Sequence, residues 1–129
     1  MIRVAIADDK VYNRKVIADK LSRSSLFTLS FQAANGNEFL QKMRELKQEE
    51  LPHIVLMDLE MPEVDGVSAI GTASALYPAV KFVVLTIFDD DDKIFRAIRA
   101  GACGYLLKEE SGEVITDMLQ HLWENGAGP

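Results

Sequence analysis

Five side chains that could bind a metal ion and a phosphoryl group stand at the ends of short apolar segments of the sequence. Asp8 and Asp9 follow the first of these segments, and Asp58 follows the third. Thr86 and Lys108 close the last two segments. Mg²⁺ prefers oxygen ligands such as carboxylates, an aspartate can act as a nucleophile, and an ammonium group can neutralise a phosphoryl oxygen. These residue types predict phosphoryl-transfer chemistry with Mg²⁺ as the cofactor.

The three carboxylates would make a poor stabilising cluster by themselves. Like charges about 4 Å apart repel by roughly 4 kcal/mol per pair at an effective dielectric constant near 20. A divalent cation together with Lys108 would cancel the charges of Asp8, Asp9 and Asp58. We expect the backbone carbonyl of Glu60 to supply a further oxygen to the metal. The alternative, in which the aspartate pair only caps the first helix, would leave Asp58 and Lys108 unexplained.

The elements that must position these residues are predicted from hydrophobic periodicity. Short apolar runs alternate with longer segments of helical period, which predicts repeated βα units and one parallel sheet. Since the carboxyl ends of parallel strands meet at one edge of the sheet, we expect the five side chains to converge there. The strands are predicted at 2–7, 28–33, 53–57, 81–85 and 104–107. Five helices are predicted between and after the strands. Their apolar faces carry, from the first helix to the fifth, Val11, Ile17 and Leu21; Phe39, Leu40, Met43 and Leu46; Val67, Ile70, Ala73 and Leu76; Ile94, Phe95 and Ile98; and Val114, Ile115, Met118, Leu119 and Leu122.

Turn and cap residues agree with this division of the chain. Gly36 and Pro78 are predicted to lie in loops, Gly101 to end a helix and Ser111 to begin the last one. The acidic run 89–92 is predicted to cap the fourth helix, because negative charge is favoured at a helix N-terminus. A metal site in that run is the alternative.

Composition excludes several classes of protein. The chain has 129 residues, enough for one domain, and a formal net charge of −6 from 20 acidic and 14 basic residues. No basic stripe is present, so this segment is not expected to bind nucleic acid by itself. The longest apolar run, 82–88, is too short to span a membrane. A single cysteine, Cys103, excludes an internal disulfide, and together with the absence of a signal sequence it predicts a cytoplasmic location.

The ordered motif residues resemble those of the receiver domain of two-component response regulators, and the resemblance covers essentially the whole chain. They are Asp8-Asp9, Asp58 with Met61-Pro62 and Asp65-Gly66, Thr86, and Tyr105 three positions before Lys108. The resemblance implies an α/β fold, a single doubly wound (βα)₅ domain with a five-stranded parallel sheet of order 2-1-3-4-5. Asp65 is predicted to cap the following helix and is not assigned to the site.

The same resemblance implies roles for the site residues. Asp58 would accept a phosphoryl group from a sensor histidine kinase or a small phosphodonor, Asp8 and Asp9 would hold Mg²⁺, and Thr86 and Lys108 would bind phosphoryl oxygens. Tyr105 resembles the aromatic switch residue of the family, which turns inward when the threonine moves toward the phosphoryl group. The surface of the fourth and fifth helices would then change. The chain would be a signalling module, not an enzyme, that catalyses only its own phosphorylation and dephosphorylation.

Finer features resemble the subfamily that carries a LuxR-type helix-turn-helix output domain. The segments 86–90 and 100–108 and the tail after residue 124 support this resemblance. It implies a receiver domain at 1–124, the start of a linker at 125–129, and transcription regulation through DNA bound by a further C-terminal domain. Homodimerisation on phosphorylation is also expected, through the first and fifth helices or through the fourth.

Two departures from the family pattern bear on the site. Glu109 follows Lys108 where many receivers have proline in a cis peptide, so this peptide is either strained or trans. Ile87 is bulkier than the residue often found after the threonine, and with Glu60 and Phe88 it is expected to limit access to the site.

A stand-alone signalling receiver acting on a protein partner is the alternative function. A phosphohydrolase of the haloacid-dehalogenase class is disfavoured, because Glu60 stands where that class has a second aspartate.

Overall fold

Five parallel strands form one sheet with helices on both faces, in a computed structural model that describes residues 1–87 and 90–125. The strand order is β2-β1-β3-β4-β5, which confirms the predicted fold. The strands are β1 Ile2–Ala7, β2 Phe27–Ala33, β3 Ile54–Asp58, β4 Lys81–Thr86 and β5 Ala102–Leu107. The helices are α1 Val11–Ser22, α2 Gly36–Glu45, α3 Gly66–Leu76, α4 Asp91–Ala100 and α5 Gly112–Glu124, with a short 3₁₀ turn at Gln48–Glu50. Among the described residues, no helix has the length and apolar character needed to cross a membrane.

The core consists of two apolar layers, one on each face of the sheet. On one face, α2, α3 and α4 bury Phe39, Ile70 and Ala97 against the strands. On the other, α1 and α5 bury Ile17 and Ile115. Every residue of β3 is buried, because the central strand of a doubly wound sheet is covered on both sides. This explains why its sequence is a continuous apolar run that ends abruptly in a carboxylate.

The strand register brings the predicted site residues to one edge of the sheet. Ala7 pairs with Met57, so Asp8 follows β1 beside the last residue of β3, which is Asp58. Thr86, the last residue of β4, pairs with Leu107, and Lys108 follows immediately. The carboxyl ends of four neighbouring strands, β1, β3, β4 and β5, therefore lie at the same edge of the sheet.

Side-chain caps fix where four of the helices begin. Asn35, Asp65, Asp90 and Ser111 accept hydrogen bonds from the backbone N–H of the third residue after each. These contacts confirm the predicted cap of α5 and the cap at Asp65, and the described part of the acidic run does cap α4. Asp89 and Phe88 lie outside the described residues. Gly101 ends α4 with a φ of 134°, a left-handed conformation that favours glycine.

Some sequence predictions were wrong in detail. Gly36 is not in a loop but is the first residue of α2, where an added Cβ would lie 2.4 Å from the carbonyl oxygen of Val64. Phe95 and Ile98 are 59% and 46% exposed, although helical periodicity placed them on the buried face of α4. Val11 is also exposed, because it is the first residue of α1 and projects beyond the core.

Candidate metal and phosphoryl site

Three carboxylates meet at the carboxyl edge of the sheet. Asp8, Asp9 and Asp58 each offer one oxygen, and these three oxygens lie within 4.8 Å of one another. Asp8 is fully buried and Asp58 is 6% exposed. Few aspartates are this buried without a charged partner or a metal. The prediction that these three residues converge is met by the geometry.

Lys108 supplies the positive charge nearest to this cluster. Its Nζ lies 2.7 Å from Oδ2 of Asp8 and 3.3 Å from Oδ1 of Asp58. Even so, Oδ2 of Asp8 is buried and accepts no well-formed hydrogen bond in this structure. The ion pair with Lys108 is therefore the contact that this oxygen makes. A buried carboxylate oxygen with unused acceptor capacity, next to two other carboxylates, fits the donor set that Mg²⁺ requires.

The protein environment disfavours the ionised form of Asp58. The pKa of Asp58 is raised from 3.8 to about 6, mainly by burial and also by the negative charge of Asp8, while Lys108 and the backbone N–H of Glu60 act in the opposite direction. Three carboxylates and one ammonium leave the cluster with a charge of −2 when all are ionised. A divalent cation would bring that sum to zero and would favour the ionised form of Asp58.

Asp8 does not cap helix α1. The cap residue of α1 is Lys10, and its side chain makes no capping hydrogen bond. Instead, Oδ1 of Asp8 accepts from the backbone N–H of Lys10 at 2.9 Å and from Nδ2 of Asn13 at 3.5 Å. Arg14 donates to the carbonyl oxygen of Asp8 at 2.7 Å. These contacts orient one carboxylate oxygen and leave the other facing Asp58 and Lys108.

The loop after Asp58 packs closely against the end of β3. The backbone N–H of Glu60 points to Oδ1 of Asp58 at 3.4 Å. A Cβ added at Gly66 would lie 2.2 Å from the carbonyl oxygen of Asp58 and 2.7 Å from Cα of Leu59. Gly66 is therefore required here by close backbone approach, which explains a glycine at the first position of α3. The expected metal contact of the Glu60 carbonyl stays a prediction.

Thr86 and Lys108 line the same open cleft as Asp9 and Asp58. The cleft has a volume of about 320 Å³ and also includes Glu60, Ile87 and Lys93 among its walls. The backbone N–H of Lys108 donates to the carbonyl oxygen of Thr86 at 2.8 Å, which ties the two strand ends together. Ile87 is 54% exposed at the rim.

Tyr105 does not reach this cleft. It is 37% exposed on β5 and lines a separate cleft with residues of α4, including Phe95 and Ile98. The structure therefore brings together every predicted site side chain except the one predicted to act as a switch.

Two features of the site were not predicted. The Lys93 ammonium on α4 pairs with the Glu60 carboxylate across the mouth of the cleft, and Glu60 is the main cause of a raised Lys93 pKa. Lys20 on α1 donates to two backbone carbonyls of the loop that follows Lys108. Neither lysine belongs to a sequence motif, and each contacts residues far away in the chain.

The peptide between Lys108 and Glu109 is trans, which resolves the question raised by the missing proline.

The chain belongs to the response regulator receiver domain family, whose model matches residues 4–120. The transcriptional regulatory protein LnrK of Bacillus subtilis (strain 168) is 35% identical over 126 residues, which cover 98% of this chain and 56% of LnrK. The response regulator protein VraR of Staphylococcus aureus (strain COL) is 35% identical over 119 residues, 92% of this chain and 55% of VraR. The predicted family is confirmed, and the chain spans about half the length of these relatives.

Solved structures agree with this assignment. The response regulator ChrA of a heme-sensing two-component system superimposes with a TM-score of 0.75 at 27% identity, over 95% of this chain and 57% of ChrA. A two-component response regulator of the LuxR family from Aurantimonas sp. SI85-9A1 gives a TM-score of 0.84 at 23% identity, over 95% of this chain and 85% of that one. The second likeness concerns the fold alone.

Proposed function

We propose that this chain is a phosphorylation-controlled switch, in which Asp58 accepts a phosphoryl group in a reaction that requires Mg²⁺. The observation that supports this most directly is the cluster itself. Three carboxylate oxygens lie within 4.8 Å of one another, and the Lys108 ammonium lies 3.3 Å from the proposed acceptor. A cluster with a surplus of buried negative charge costs stability, so its presence favours a chemical role.

Each residue then has a defined part in the transfer. An Oδ of Asp58 attacks the phosphorus of a phosphohistidine on a sensor histidine kinase, or of a small acyl phosphate, and the bond from phosphorus to the leaving group breaks. Asp8, Asp9, Asp58 and the carbonyl of Glu60 would hold Mg²⁺, which when bound supplies positive charge to the phosphoryl oxygens. Lys108 neutralises a phosphoryl oxygen, and the Thr86 hydroxyl donates a hydrogen bond to another.

The signal would leave the domain through the surface formed by α4, β5 and α5. Thr86 closes β4 directly before the segment that leads into α4, and Tyr105 lies beside α4 on the next strand. Movement of Thr86 toward a phosphoryl group would open space for the Tyr105 ring to turn inward. Such a change is a shift between two populated states, driven by contacts that only the phosphorylated form makes.

We further propose that the output is transcription regulation. The relatives LnrK and VraR are a transcriptional regulatory protein and a response regulator, and each is nearly twice as long as the region matched here. This supports a receiver domain at 1–124, a linker beginning at 125–129 and a DNA-binding domain beyond it. Membership of the family also supports a cytoplasmic site of action and dimerisation on phosphorylation.

The decisive experiment is the mass of the intact protein after incubation with acetyl phosphate. We expect the wild type to gain one phosphoryl group with Mg²⁺ and none with EDTA, and Asp58→Asn to gain none in either condition. Asp65→Asn is the matched control, because Asp65 is a carboxylate on the same loop whose side chain caps α3. It should be loaded like the wild type.

Loading of Asp58→Asn to the wild-type extent would refute Asp58 as the acceptor. Loading of the wild type in EDTA would refute the role of the metal. If the wild type gains nothing from acetyl phosphate, the same measurement with phosphoramidate distinguishes a donor that does not fit the cleft from a site that accepts no phosphoryl group.

A further inference from the structure

We infer that Lys20 is a positioning residue for Lys108. Its ammonium holds the backbone of Lys108 in place, so that the Lys108 side chain stays directed at Asp8 and Asp58. The inference rests on the proposed function, since Lys108 matters for catalysis only if a phosphoryl group binds at Asp58. It adds a residue from α1, remote in sequence, to the machinery of the site.

Lys20 reaches from the last turn of α1 to the loop that joins β5 and α5. Its Nζ donates to the carbonyl oxygen of Glu110 at 2.6 Å and to that of Lys108 at 3.3 Å. The aliphatic stem packs against the start of α5, because a Cβ added at its first residue, Gly112, would lie 3.4 Å from Cβ of Lys20. The charged group of Lys20 is therefore fitted to the loop, and its stem to the helix that follows.

The backbone of Lys108 is held from both sides. Its N–H donates to the carbonyl oxygen of Thr86 at 2.8 Å, and its carbonyl oxygen accepts from Lys20. That carbonyl belongs to the trans peptide leading into Glu109. Because Glu109 is not a proline, no ring fixes the next φ angle, and hydrogen bonds must set the direction of the loop. Hydrogen bonds from an ammonium group are stronger than those between neutral groups.

The direction of the Lys108 side chain depends on this restraint. Its Nζ lies between two carboxylates, 2.7 Å from Asp8 and 3.3 Å from Asp58, with its side chain only 13% exposed. A displacement of about 1 Å in a group that positions the reacting atoms can lower a rate by about 100-fold. Loss of Lys20 should therefore slow phosphoryl transfer even though Lys20 does not line the cleft around Asp58.

The first test measures the rate of phosphoryl loading from acetyl phosphate at saturating Mg²⁺, by the mass of the intact protein. We expect Lys20→Met, which keeps the stem, to load about tenfold or more slowly, with unchanged affinity for Mg²⁺. Lys20→Arg keeps a charged donor and should recover most of the rate. Lys15→Met, on the exposed face of the same helix, should load like the wild type. A wild-type rate in Lys20→Met would overturn the inference.

A second test does not depend on phosphorylation. The shift of the urea midpoint caused by Lys108→Met is measured without metal in the wild-type and in the Lys20→Met background. If Lys20 positions Lys108, the shift is smaller when Lys20 is already absent. Equal shifts would show that Lys20 only secures the loop, and would overturn the inference. A wild type that cannot be phosphorylated would instead refute the proposed function, and this comparison would still decide the role of Lys20. Lys20→Gln serves in both tests if Lys20→Met does not fold.

Discussion

Replacing Asp58 by asparagine is predicted to stabilise the metal-free domain at neutral pH, although most substitutions of buried residues destabilise a protein. The folded structure raises the pKa of Asp58 from 3.8 to about 6. A shift of about two units corresponds to about 3 kcal/mol of unfavourable free energy at neutral pH. Solvent at the mouth of the cleft screens these charges and reduces that figure. We expect a net gain of about 1–2 kcal/mol, which for a domain of this size raises the Tm by about 3–8 °C.

The stability gained by Asp58→Asn is expected to increase with pH. Because the folded pKa of Asp58 is raised, the folded protein binds more protons than the unfolded chain between about pH 4 and pH 6. The contribution of Asp58 to stability is therefore fully present below pH 3.8 and is lost as the pH rises through about 6. The gain from Asp58→Asn should consequently grow by about 1 kcal/mol between pH 5 and pH 7.5.

The comparison must be made as a difference between the two proteins, because His53 acts in the opposite direction. Burial is the main cause of a lowered His53 pKa, with smaller effects from Arg3 and the N-terminus. The folded protein therefore binds fewer protons at His53 than the unfolded chain, and stability rises with pH through the window below 6.5. His53 is present in both proteins, so its effect cancels in the difference.

The assay is urea unfolding followed by far-UV circular dichroism, in EDTA, at pH 5 and pH 7.5. Asp65→Asn is the control for the change of a carboxylate to an amide, since aspartate and asparagine cap a helix equally well. Addition of Mg²⁺ should stabilise the wild type and narrow its gap to Asp58→Asn. The electrostatic reasoning is refuted if Asp58→Asn is less stable than the wild type at pH 7.5 in EDTA, or if its gain is the same at both pH values.

Two further predictions use the same urea assay. Gly66→Ala should lower the free energy of unfolding by about 3 kcal/mol, because the new Cβ would lie 2.2 Å from the carbonyl oxygen of Asp58. Gly104→Ala, with nothing within 4 Å of its added Cβ, should leave stability unchanged, and equal losses in the two variants would contradict the steric reasoning. Lys108→Met should lower metal-free stability by about 2–4 kcal/mol, because it leaves Asp8 and Asp58 unpaired. Mg²⁺ should stabilise Lys108→Met more than the wild type, and an equal or smaller effect would contradict the proposed competition between lysine and metal for these carboxylates.

The fold and the convergence of the site could be predicted because both follow from local patterns. Each strand of the sheet is a short apolar run, and each of Asp8, Asp58 and Lys108 interrupts such a run at its carboxyl end. Parallel pairing then requires these ends to meet at one edge. Little more than the alternation of strands and helices was needed to infer that the residues lie together.

The contacts around the site could not be predicted, because they join residues that are distant in the chain. Lys20 contacts Glu110, and Lys93 contacts Glu60, across separations of 90 and 33 residues. Lysines on helices are usually solvated, so their sequence positions carry no sign of these contacts. Periodicity also failed for Phe95 on α4, since it detects an apolar face without showing whether another element covers it.

Contacts of the backbone, together with the ion pairs of Lys108, hold the charged residues of this site in place. The N–H of Asp8 donates to the carbonyl of Ala33 at 3.0 Å, and that of Lys108 donates to Thr86 at 2.8 Å. Asp58 is the last residue of a fully buried strand, and Gly66 packs against its carbonyl oxygen. The three carboxylates repel one another, so contacts made by the backbone must help to keep them together. For this reason the removal of one negative charge should relax the site, whereas a single methyl group at Gly66 should disrupt it.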